Sequence, residues 1–363
     1  MRRKKVFSIL LVMIMLGFTG VVGADDTITY NNAKTLGMGN ARIAGGFNYN
    51  GFVDNPALLS RVQYVRISIV NVPIGVNDNL VDMSTFIKDN ANNFAEFDSL
   101  SIQDKQAFLD DIEEYDSKWG RVSVAPMIDL AANIMGFGIG VAVFSTTDVA
   151  LKVDKGIYEP RVWGEGKSNV AVVIGMAKPV FMLYPGLTLG MNIKYLERRK
   201  AALFQIPASD LGDINDTIKP VTDEVKNDTN KHIALDFGAL LDLPLIGTEV
   251  AATLQSIGDG RGASLDFGVA KQMWDDRLTL LADYIDFLDN NRENIFSKIH
   301  FGAELKAEPL ALRAGISKGY PALGLGLNFK LIDIDAAYYT EELSKGPGGN
   351  DESRYVVQIK VGW

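Results

Sequence analysis

Apolar and polar side chains alternate along the C-terminal part of the chain, and this two-residue period constrains the fold more than any other sequence feature. The pattern is plainest from Tyr355 to Trp363, where every second residue is apolar or aromatic and the opposite face carries Gln358 and Lys360. Successive side chains of a β-strand point to opposite faces, so this period predicts a strand with one apolar face. A terminal strand ending in an aromatic residue is typical of bacterial outer-membrane β-barrels, and it predicts Tyr355 and Trp363 as the membrane-assembly signal.

The same alternation recurs in strand after strand from residue 231 onward. The apolar faces are aliphatic or aromatic, whereas the opposite faces carry charged residues, a histidine and many glycines. In a membrane barrel the apolar face contacts lipid and the polar face lines the lumen. The polar residues predicted to face the lumen are Asp236, Asp266, Asp283, His300, Glu304, Arg313, Asp333 and Asp335.

A soluble β-sandwich has the same period, because one face of each of its sheets packs on the core. Two observations favour a membrane barrel instead. The segments have about the length, roughly 9–11 residues, that a tilted strand needs to cross a bilayer. Aromatic residues also collect at strand ends, as the interfacial girdles of membrane barrels require; they are Tyr195, Tyr284, Tyr338, Tyr355 and Trp363.

Fourteen candidate strands are present, and their connections alternate in length. The strands are predicted over 62–73, 119–131, 134–145, 169–178, 187–196, 231–242, 248–257, 263–272, 277–286, 298–306, 309–317, 321–330, 331–340 and 353–363. Short turns, such as Ala132-Asn133, alternate with long loops over 74–118, 146–168, 197–230, 287–297 and 341–352. Short periplasmic turns, long external loops and an even strand number are the outer-membrane pattern. The sequence therefore predicts an all-β fold, a 14-stranded antiparallel transmembrane barrel over residues 62–363, with 148–163 read either as loop or as a further strand pair.

The N-terminal residues predict a secretory signal peptide. Four basic residues at positions 2–5 precede an apolar stretch from Val6 to Val22, and small residues lead up to Asp25. This order of segments predicts a cleaved signal over residues 1–24, and therefore export to the bacterial outer membrane. The alternative is an uncleaved transmembrane anchor, which the apolar run is barely long enough to form. The absence of cysteine excludes a lipoprotein anchor, disulfides and thiolate metal sites.

Composition excludes one further class of function. Loss of the four basic residues at positions 2–5 leaves 32 basic residues against 45 acidic ones, a net charge of −13. A protein of this charge is a poor partner for nucleic acid, and none is predicted. The chain is 47% hydrophobic and contains 35 glycines, with its apolar residues spread thinly, as a membrane barrel requires.

Residues 25–61 do not alternate and predict a separate segment. They contain five glycines, among them Gly37 and Gly39, which indicate tight turns and close packing. The sequence Asn55-Pro56-Ala57 predicts a turn into the first strand, because proline disfavours a helical conformation for the residue before it. A glycine-rich segment placed before the first strand is a candidate plug of the lumen.

The first long loop carries a helix signal. Ser101 lies three residues before Asp104, and Phe108, Ile112 and Tyr115 follow at helical spacing. This pattern predicts a short amphipathic helix. It lies either over the barrel mouth or, as we favour, against its own loop.

No catalytic or cofactor site is predicted. His300 and Glu304 share one lumen face and have metal-ligand chemistry, but a solvated lumen pair explains them better. No nucleophile elbow, phosphate-binding loop or dinucleotide fingerprint is present in the sequence. We therefore expect no enzyme activity, no catalytic residue, no metal and no cofactor.

The segments LGMGNARIAGG and NPALL, the fourteen strands and the terminal aromatic resemble the FadL-type outer-membrane transporters of hydrophobic compounds. They resemble still more the shorter PorV-like and TraF-like members of that superfamily. The resemblance implies an N-terminal hatch, Gly37 through Leu59, that plugs the barrel, with Gly37, Gly39, Asn55, Pro56 and Ala57 as its matching residues. It also implies that ligand passes the hatch and leaves sideways through a kinked strand. The chain departs from the family at 46–48, where Gly-Phe-Asn replaces a paired acidic element.

Two functions follow from the resemblance. One is passive transport of small hydrophobic compounds, fatty-acid-like or otherwise apolar, across the outer membrane, which we favour narrowly. The alternative is a PorV-like scaffold for secretion or surface assembly that binds protein partners. The expected partners are outer-membrane lipid, a small hydrophobic ligand and the barrel-assembly machinery, which reads the C-terminal strand.

If the chain is a membrane barrel, it should resist extraction from the membrane. Washing the membranes with alkaline carbonate should leave the protein in the pellet, because a lipid-facing barrel is held by its apolar band. Immunoblotting of pellet and supernatant measures this. Release into the supernatant would indicate a soluble periplasmic β-protein instead.

Overall fold

The computed structural model describes residues 30–45, 49–116, 118–156, 159–180, 182, 184–199, 204–207, 229–260, 262–290, 294–343 and 351–363. The predicted signal peptide, the departure at 46–48 and most of the loop 200–228 lie outside these residues. Within the described part, no helix has the length and apolar character needed to cross a membrane.

The described residues contain sixteen strands in one sheet, and fifteen of these strands make up the fourteen staves, or strand positions, of a closed antiparallel barrel. The first and last strands of the ring, Val65–Asn77 and Asp351–Gly362, pair with each other and complete the closure. The strands are β1 Val65–Asn77, β2 Gly120–Val124, β3 Met127–Ile134, β4 Phe137–Asp154, β5 Arg161–Pro179, β6 Leu187–Arg199, β7 Phe204–Pro207, β8 Thr229–Leu243, β9 Thr248–Ile257, β10 Ser264–Met273, β11 Leu278–Tyr284, β12 Ile299–Ala307, β13 Leu310–Ser317, β14 Tyr320–Asn328, β15 Ile332–Glu342 and β16 Asp351–Gly362. The predicted all-β fold and its fourteen strands are confirmed.

The sixteen described strands give only fourteen staves, for two reasons. Strand β7 pairs only with the outer part of β5. Strands β2 and β3 hold the same register against β4, so they are two parts of one stave that is interrupted at Ala125-Pro126. Proline has no N–H to donate to a ladder, which gives the interruption a local cause.

The two faces of the strands lie as the alternation predicts. In β16, Val357 and Ile359 are 52% and 48% exposed, whereas the intervening Gln358 is 5% exposed. Tyr355 and Trp363 share the exposed face, at 46% and 55%. The apolar face therefore points outward around the barrel, where a bilayer covers it, and the polar face points into the lumen.

Long connections gather at one end of the barrel and short turns at the other. The predicted turn at Ala132-Asn133 is wrong by three residues, since β3 runs on to Ile134 and the turn lies at Met135-Gly136. Both turn residues have positive φ, 54° and 81°, as tight hairpin turns require.

The predicted loop 146–168 is also wrong in its bounds. Strand β4 continues to Asp154 and β5 begins at Arg161, with Asp154 paired to Arg161. The reading of 148–163 as a strand pair is therefore the correct one. These residues extend the hairpin of two barrel strands beyond their neighbours instead of forming a loop.

The loop between β1 and β2 is helical. It contains α2 Asp78–Asp89, α3 Ala91–Ala95 and α4 Ile102–Glu113, after the hatch helix α1 Ala33–Gly37. The helix predicted from Ser101 is confirmed, because the Ser101 side chain accepts from the Asp104 N–H and caps α4. Its buried residues Phe108 and Ile112 pack with the loop's own Phe94 and Phe97 and with Val153 and Val162 of the extended hairpin.

The closing seam gives the fold a test. Val72 of β1 faces Ile359 of β16, so cysteines at these two positions should form a disulfide that links the first and last strands. A shift in gel mobility on reduction measures the link, and the chain has no other cysteine to interfere.

The matched control keeps the cysteine at Val72 and places the second one at Ile334, the partner of Ile359 on the next strand, β15. Two strand spacings, roughly 10 Å, exceed the reach of a disulfide. An equal yield of both links would contradict the closed ring.

Candidate functional site: the hatch and the interrupted stave

The hatch lies against the inner wall, and the wall has glycine wherever the hatch backbone comes closest. At Gly315 an added Cβ would lie 2.2 Å from the Gly39 nitrogen, and at Gly138 it would lie 2.2 Å from the Leu59 carbonyl oxygen. No larger residue fits at such distances. The inward-facing glycines that meet the hatch are Gly138, Gly140, Gly175, Gly190, Gly238, Gly268, Gly302, Gly315 and Gly324. They form a glycine belt that follows the hatch from β4 around to β14.

The Asn55-Pro56-Ala57 element holds one side of the hatch to this belt. Asn55 is fully buried with extended backbone, and its side chain caps a 3-10 helix, Pro56–Arg61, by accepting from the Ala57 N–H at 3.0 Å. Its amide also donates to the Ile43 carbonyl oxygen at 2.9 Å. The turn predicted at this element is therefore a capped 3-10 turn.

Gly37 and Gly39 hold the opposite side. Gly37 lies against Gly324, where an added Cβ would meet the Gly324 Cα at 2.8 Å. Gly39 has a φ of +63° and lies between the backbones of β12 and β13, at Phe301 and Ile316. A side chain at Gly39 would suffer both a strained backbone and backbone contacts of 2.5 Å or less. The two hatch glycines therefore serve close backbone approach.

Three of the predicted lumen residues form one buried ion-pair cluster. Arg313 donates from Nε to Glu304 at 2.7 Å and from Nη1 to Asp335 at 2.6 Å. Lys34 of α1 adds a third contact, with its Nζ 3.1 Å from a Glu304 oxygen. Because buried charges are tolerated when they are paired and hydrogen-bonded, the cluster ties α1 to three strands.

Other predicted lumen carboxylates hold the hatch or its supports. Asp283 accepts the Ile43 N–H at 2.8 Å and also the N–H of Arg42, so one carboxylate oxygen fixes two hatch residues. Asp236 pairs with Lys194 at 2.6 Å. Asp266 accepts from the Asp286 N–H at 2.8 Å and from Gln255 at 3.0 Å.

His300 and Glu304 are not the solvated pair predicted from the sequence. They are 4% and 2% exposed. The His300 Nδ1 donates to the Gly39 carbonyl oxygen at 2.9 Å, while Glu304 belongs to the Arg313 cluster. The described residues contain no group of three His, Asp or Glu that would hold a metal ion. Asp333 lies apart, half-buried on the periplasmic side of Asp335.

The hatch carries its own buried charges. Burial raises the pKa of Asp54, and the nearby Arg42 guanidinium, 3.6 Å away, opposes that rise. Burial also lowers the pKa of Lys34, which the Glu304 carboxylate opposes. These hatch residues were not predicted, since a segment without periodicity gives no sign of which side chains meet the wall.

Within the described residues, one stretch of the wall lacks backbone ladder pairs, and this breach lies at the interrupted stave. Pairing of β1 with β3 ends at Ser68 and Asp129, and pairing with β2 resumes only at Ile74 and Val124. Between these points the five residues 69–73 of β1 face 125–128 without ladder pairs. One backbone bond, from the Ala125 N–H to the Pro73 carbonyl oxygen at 3.1 Å, crosses the gap.

An apolar cluster lies on the lumen side of this breach. Met127 and Phe144 of the wall pack with Phe52 and Leu59 of the hatch, all less than 5% exposed, and Ala125 packs against the same cluster. On the side of β3 and β4, hatch and breach therefore meet at an apolar surface. Ser68, Asn71 and Asp129 are buried polar residues at the same breach, and the opposite side of the hatch meets charged groups.

No protein-family model matches the chain, and no curated protein sequence matches it. Among solved structures, one mutant of the TodX monoaromatic hydrocarbon channel aligns over 92% of this chain and 97% of its own, with 13% identity and a TM-score of 0.52. A second TodX mutant aligns over 95% and 97%, with 12% identity and a TM-score of 0.51. The P. putida toluene transporter TodX aligns over 92% of this chain and 97% of its own, with 14% identity and a TM-score of 0.49.

The fold is that of the TodX channels, a closed antiparallel barrel with an N-terminal segment inside it. The two likenesses above 0.5 carry this conclusion, together with the closed ring and its apolar exterior. At 12–13% identity they show the fold alone. The resemblance read from the sequence is thereby confirmed at the level of the barrel and its N-terminal hatch.

The glycine belt gives a testable consequence. Replacing Gly238 with Val places a Cβ 2.2 Å from the Asn55 Oδ1 and 2.9 Å from Pro56, so the hatch must shift, at a cost of about 1–3 kcal/mol. We expect larger and more frequent single-channel conductance steps in planar bilayers. The control is Ala239→Val, the adjacent residue that faces lipid. Equal conductance in both variants would contradict the sealing role.

Proposed function

We propose that the protein is an outer-membrane channel for the passive transport of small hydrophobic compounds. One observation carries the proposal. The lumen is filled by a hatch fixed through paired charges and glycine contacts, while the only breach in the described wall lies beside an apolar cluster.

The hatch disfavours a general porin. Porins conduct polar solutes through a water-filled lumen. Here the lumen-facing Asp236, Glu304 and Arg313 are less than 5% exposed, and each is paired or hydrogen-bonded. A polar solute would have to break these buried pairs, whereas an apolar solute passing the Met127 and Phe144 cluster breaks none.

The breach offers a sideways exit. In lipid, unpaired backbone groups are costly, so a gap in the ladder is tolerated only where neighbouring groups or a cavity satisfy them. Pro73 and Pro126 stand on the two sides of the gap and have no N–H, which lowers this cost. An apolar solute leaving here would enter the membrane without crossing the polar periplasmic end.

The outer mouth supports an apolar cargo. Phe86, Phe94, Phe97 and Phe108 pack together above the barrel, with ring centroids 4.9–6.3 Å apart in the contacting pairs. Tyr115 stacks on Phe86 at 4.5 Å. The buried rings of Phe94, Phe97 and Phe108 cover the hairpin beyond the membrane. Phe86 and Tyr115 are partly exposed and give an apolar compound a first contact.

The structural neighbours suggest the first compound to test. TodX is described as a monoaromatic hydrocarbon channel and a toluene transporter. We extend this by proposal to a monoaromatic or fatty-acid-like cargo for this chain, with no enzyme activity. Export by a cleaved signal, membrane assembly through Tyr355 to Trp363 and contact with outer-membrane lipid belong to the same proposal.

The scaffold function remains the second candidate, for one reason. The extended hairpin of β4 and β5 rises beyond the neighbouring strands and carries β7 on its edge. Such a projection offers a protein partner a surface outside the membrane. A pull-down from intact cells that recovers a stoichiometric partner would favour this function over transport.

A disulfide across the breach tests whether the breach is the exit of the solute. Ile69 and Ile128 are the first outward residues past the last β1–β3 pair, and both face lipid, at 49% and 59% exposed. A disulfide between cysteines at these positions should abolish uptake of labelled toluene, and reduction should restore it.

The matched control is a cysteine pair at Ile67 and Leu130, which already face each other in the ladder. That disulfide should leave uptake unchanged, because it links two residues that are already paired in the ladder and leaves the breach open. Full uptake with the Ile69–Ile128 link formed would exclude the breach as the exit.

A further inference from the structure

The outer surface of the barrel carries a groove far from the breach. It has a volume of about 540 Å³ and lies across β10 to β13. Three small outward residues, Ala282, Ala303 and Ala314, form its floor. Phe301 and Ile316, 50% and 47% exposed, stand as its wall. The surrounding outward positions on these strands are mostly leucine, isoleucine, valine and phenylalanine, so the groove is a local hollow in the lipid-facing band.

A single positive charge borders the groove. Lys271 lines it and is exposed on the lipid-facing side of β10, two residues before that strand ends at Met273 on the short-turn side. Among the outward residues of β10 to β13 it is the only charged one. Within the described part of the chain, no carboxylate forms an ion pair with Lys271.

A lysine on the lipid face is unfavourable unless its ammonium reaches an interface or an anion. Its position near the short-turn end places the ammonium toward the periplasmic leaflet, while the groove runs from it toward the outer rim past Ala282. The Lys271 ammonium therefore complements an anionic lipid headgroup, and the groove beside it complements one apolar chain.

We propose that this groove is a binding site for one phospholipid of the periplasmic leaflet, with the phosphate on Lys271 and an acyl chain along Ala282, Ala303 and Ala314. Charge complementarity favours a phospholipid over a second copy of the chain. A second copy would meet Lys271 with the same groove in an isologous contact, and so bring the two lysines together. The site does not depend on the hatch or on the transported compound.

Lipid retained by the purified protein tests this proposal. The protein is extracted in mild detergent and washed, and native mass spectrometry then measures phospholipid bound per barrel. We expect about one phospholipid on the unaltered protein, and roughly a tenfold lower occupancy in Lys271→Met and in Ala303→Leu, which remove the charge and fill the hollow.

Two control variants make the same kinds of substitution at outward positions away from the groove. Ala336→Leu enlarges an outward alanine on β15, and Lys178→Met removes another outward lysine, whose Nζ lies 4.1 Å from the Phe137 ring centroid. Both should keep the phospholipid. Equal occupancy in all variants, or a dimer that Ala303→Leu dissociates, would overturn the proposal. Toluene uptake by Lys271→Met separates the two proposals, because uptake should persist whether or not the lipid is lost.

Discussion

Backbone hydrogen bonding in lipid is the constraint on which the rest of this structure depends. A strand that crosses a membrane has no water for its N–H and C=O groups, so every strand must be paired on both sides and the sheet must close. The pairing of β1 with β16 meets this demand. Against such a background, the five residues 69–73 of β1 that lack ladder partners on the side of β2 and β3 are an exception that requires a local reason. The prolines at 73 and 126 supply part of it by removing donors from both sides of the gap.

The inner face obeys a different rule. Wall glycines meet the hatch backbone at its closest approaches, and wall carboxylates accept from hatch N–H groups and from Lys34. Gly315 against Gly39 and Asp283 against Ile43 are the clearest examples. The two devices act together, since close approach by glycine brings hatch amides within reach of wall carboxylates. The polar residues of the lumen face therefore hold the plug in place and do not line a water-filled channel.

Sequence reasoning recovered the parts of the fold that depend on periodicity. The faces of β8 to β16 follow from alternation alone, because a one-residue slip would turn an aliphatic row into the lumen. The turn at Met135-Gly136 was misplaced because Asn133 is a turn former and nothing in the local pattern excludes it. The sequence leaves the extension of β4 and β5 open because, beyond the membrane, the alternation weakens. The contacts of Lys34 and Arg42 depend on which strands meet the hatch, and that is fixed only by tertiary packing.

Under the proposed transport function, the asymmetry of the hatch explains how one plug both seals the lumen and admits a solute. Its charged side, at Lys34 and Arg42, faces β11 to β15, where breaking a buried pair leaves an uncompensated charge and is strongly unfavourable. Its apolar side, at Phe52 and Leu59, faces β3 to β5, where contacts are dispersive and a solute of similar polarity replaces them at little cost. Local opening should therefore start on the apolar side, and that side adjoins the breach at Ala125. A solute that matches those contacts would be admitted there, while water and ions would find the other side still closed.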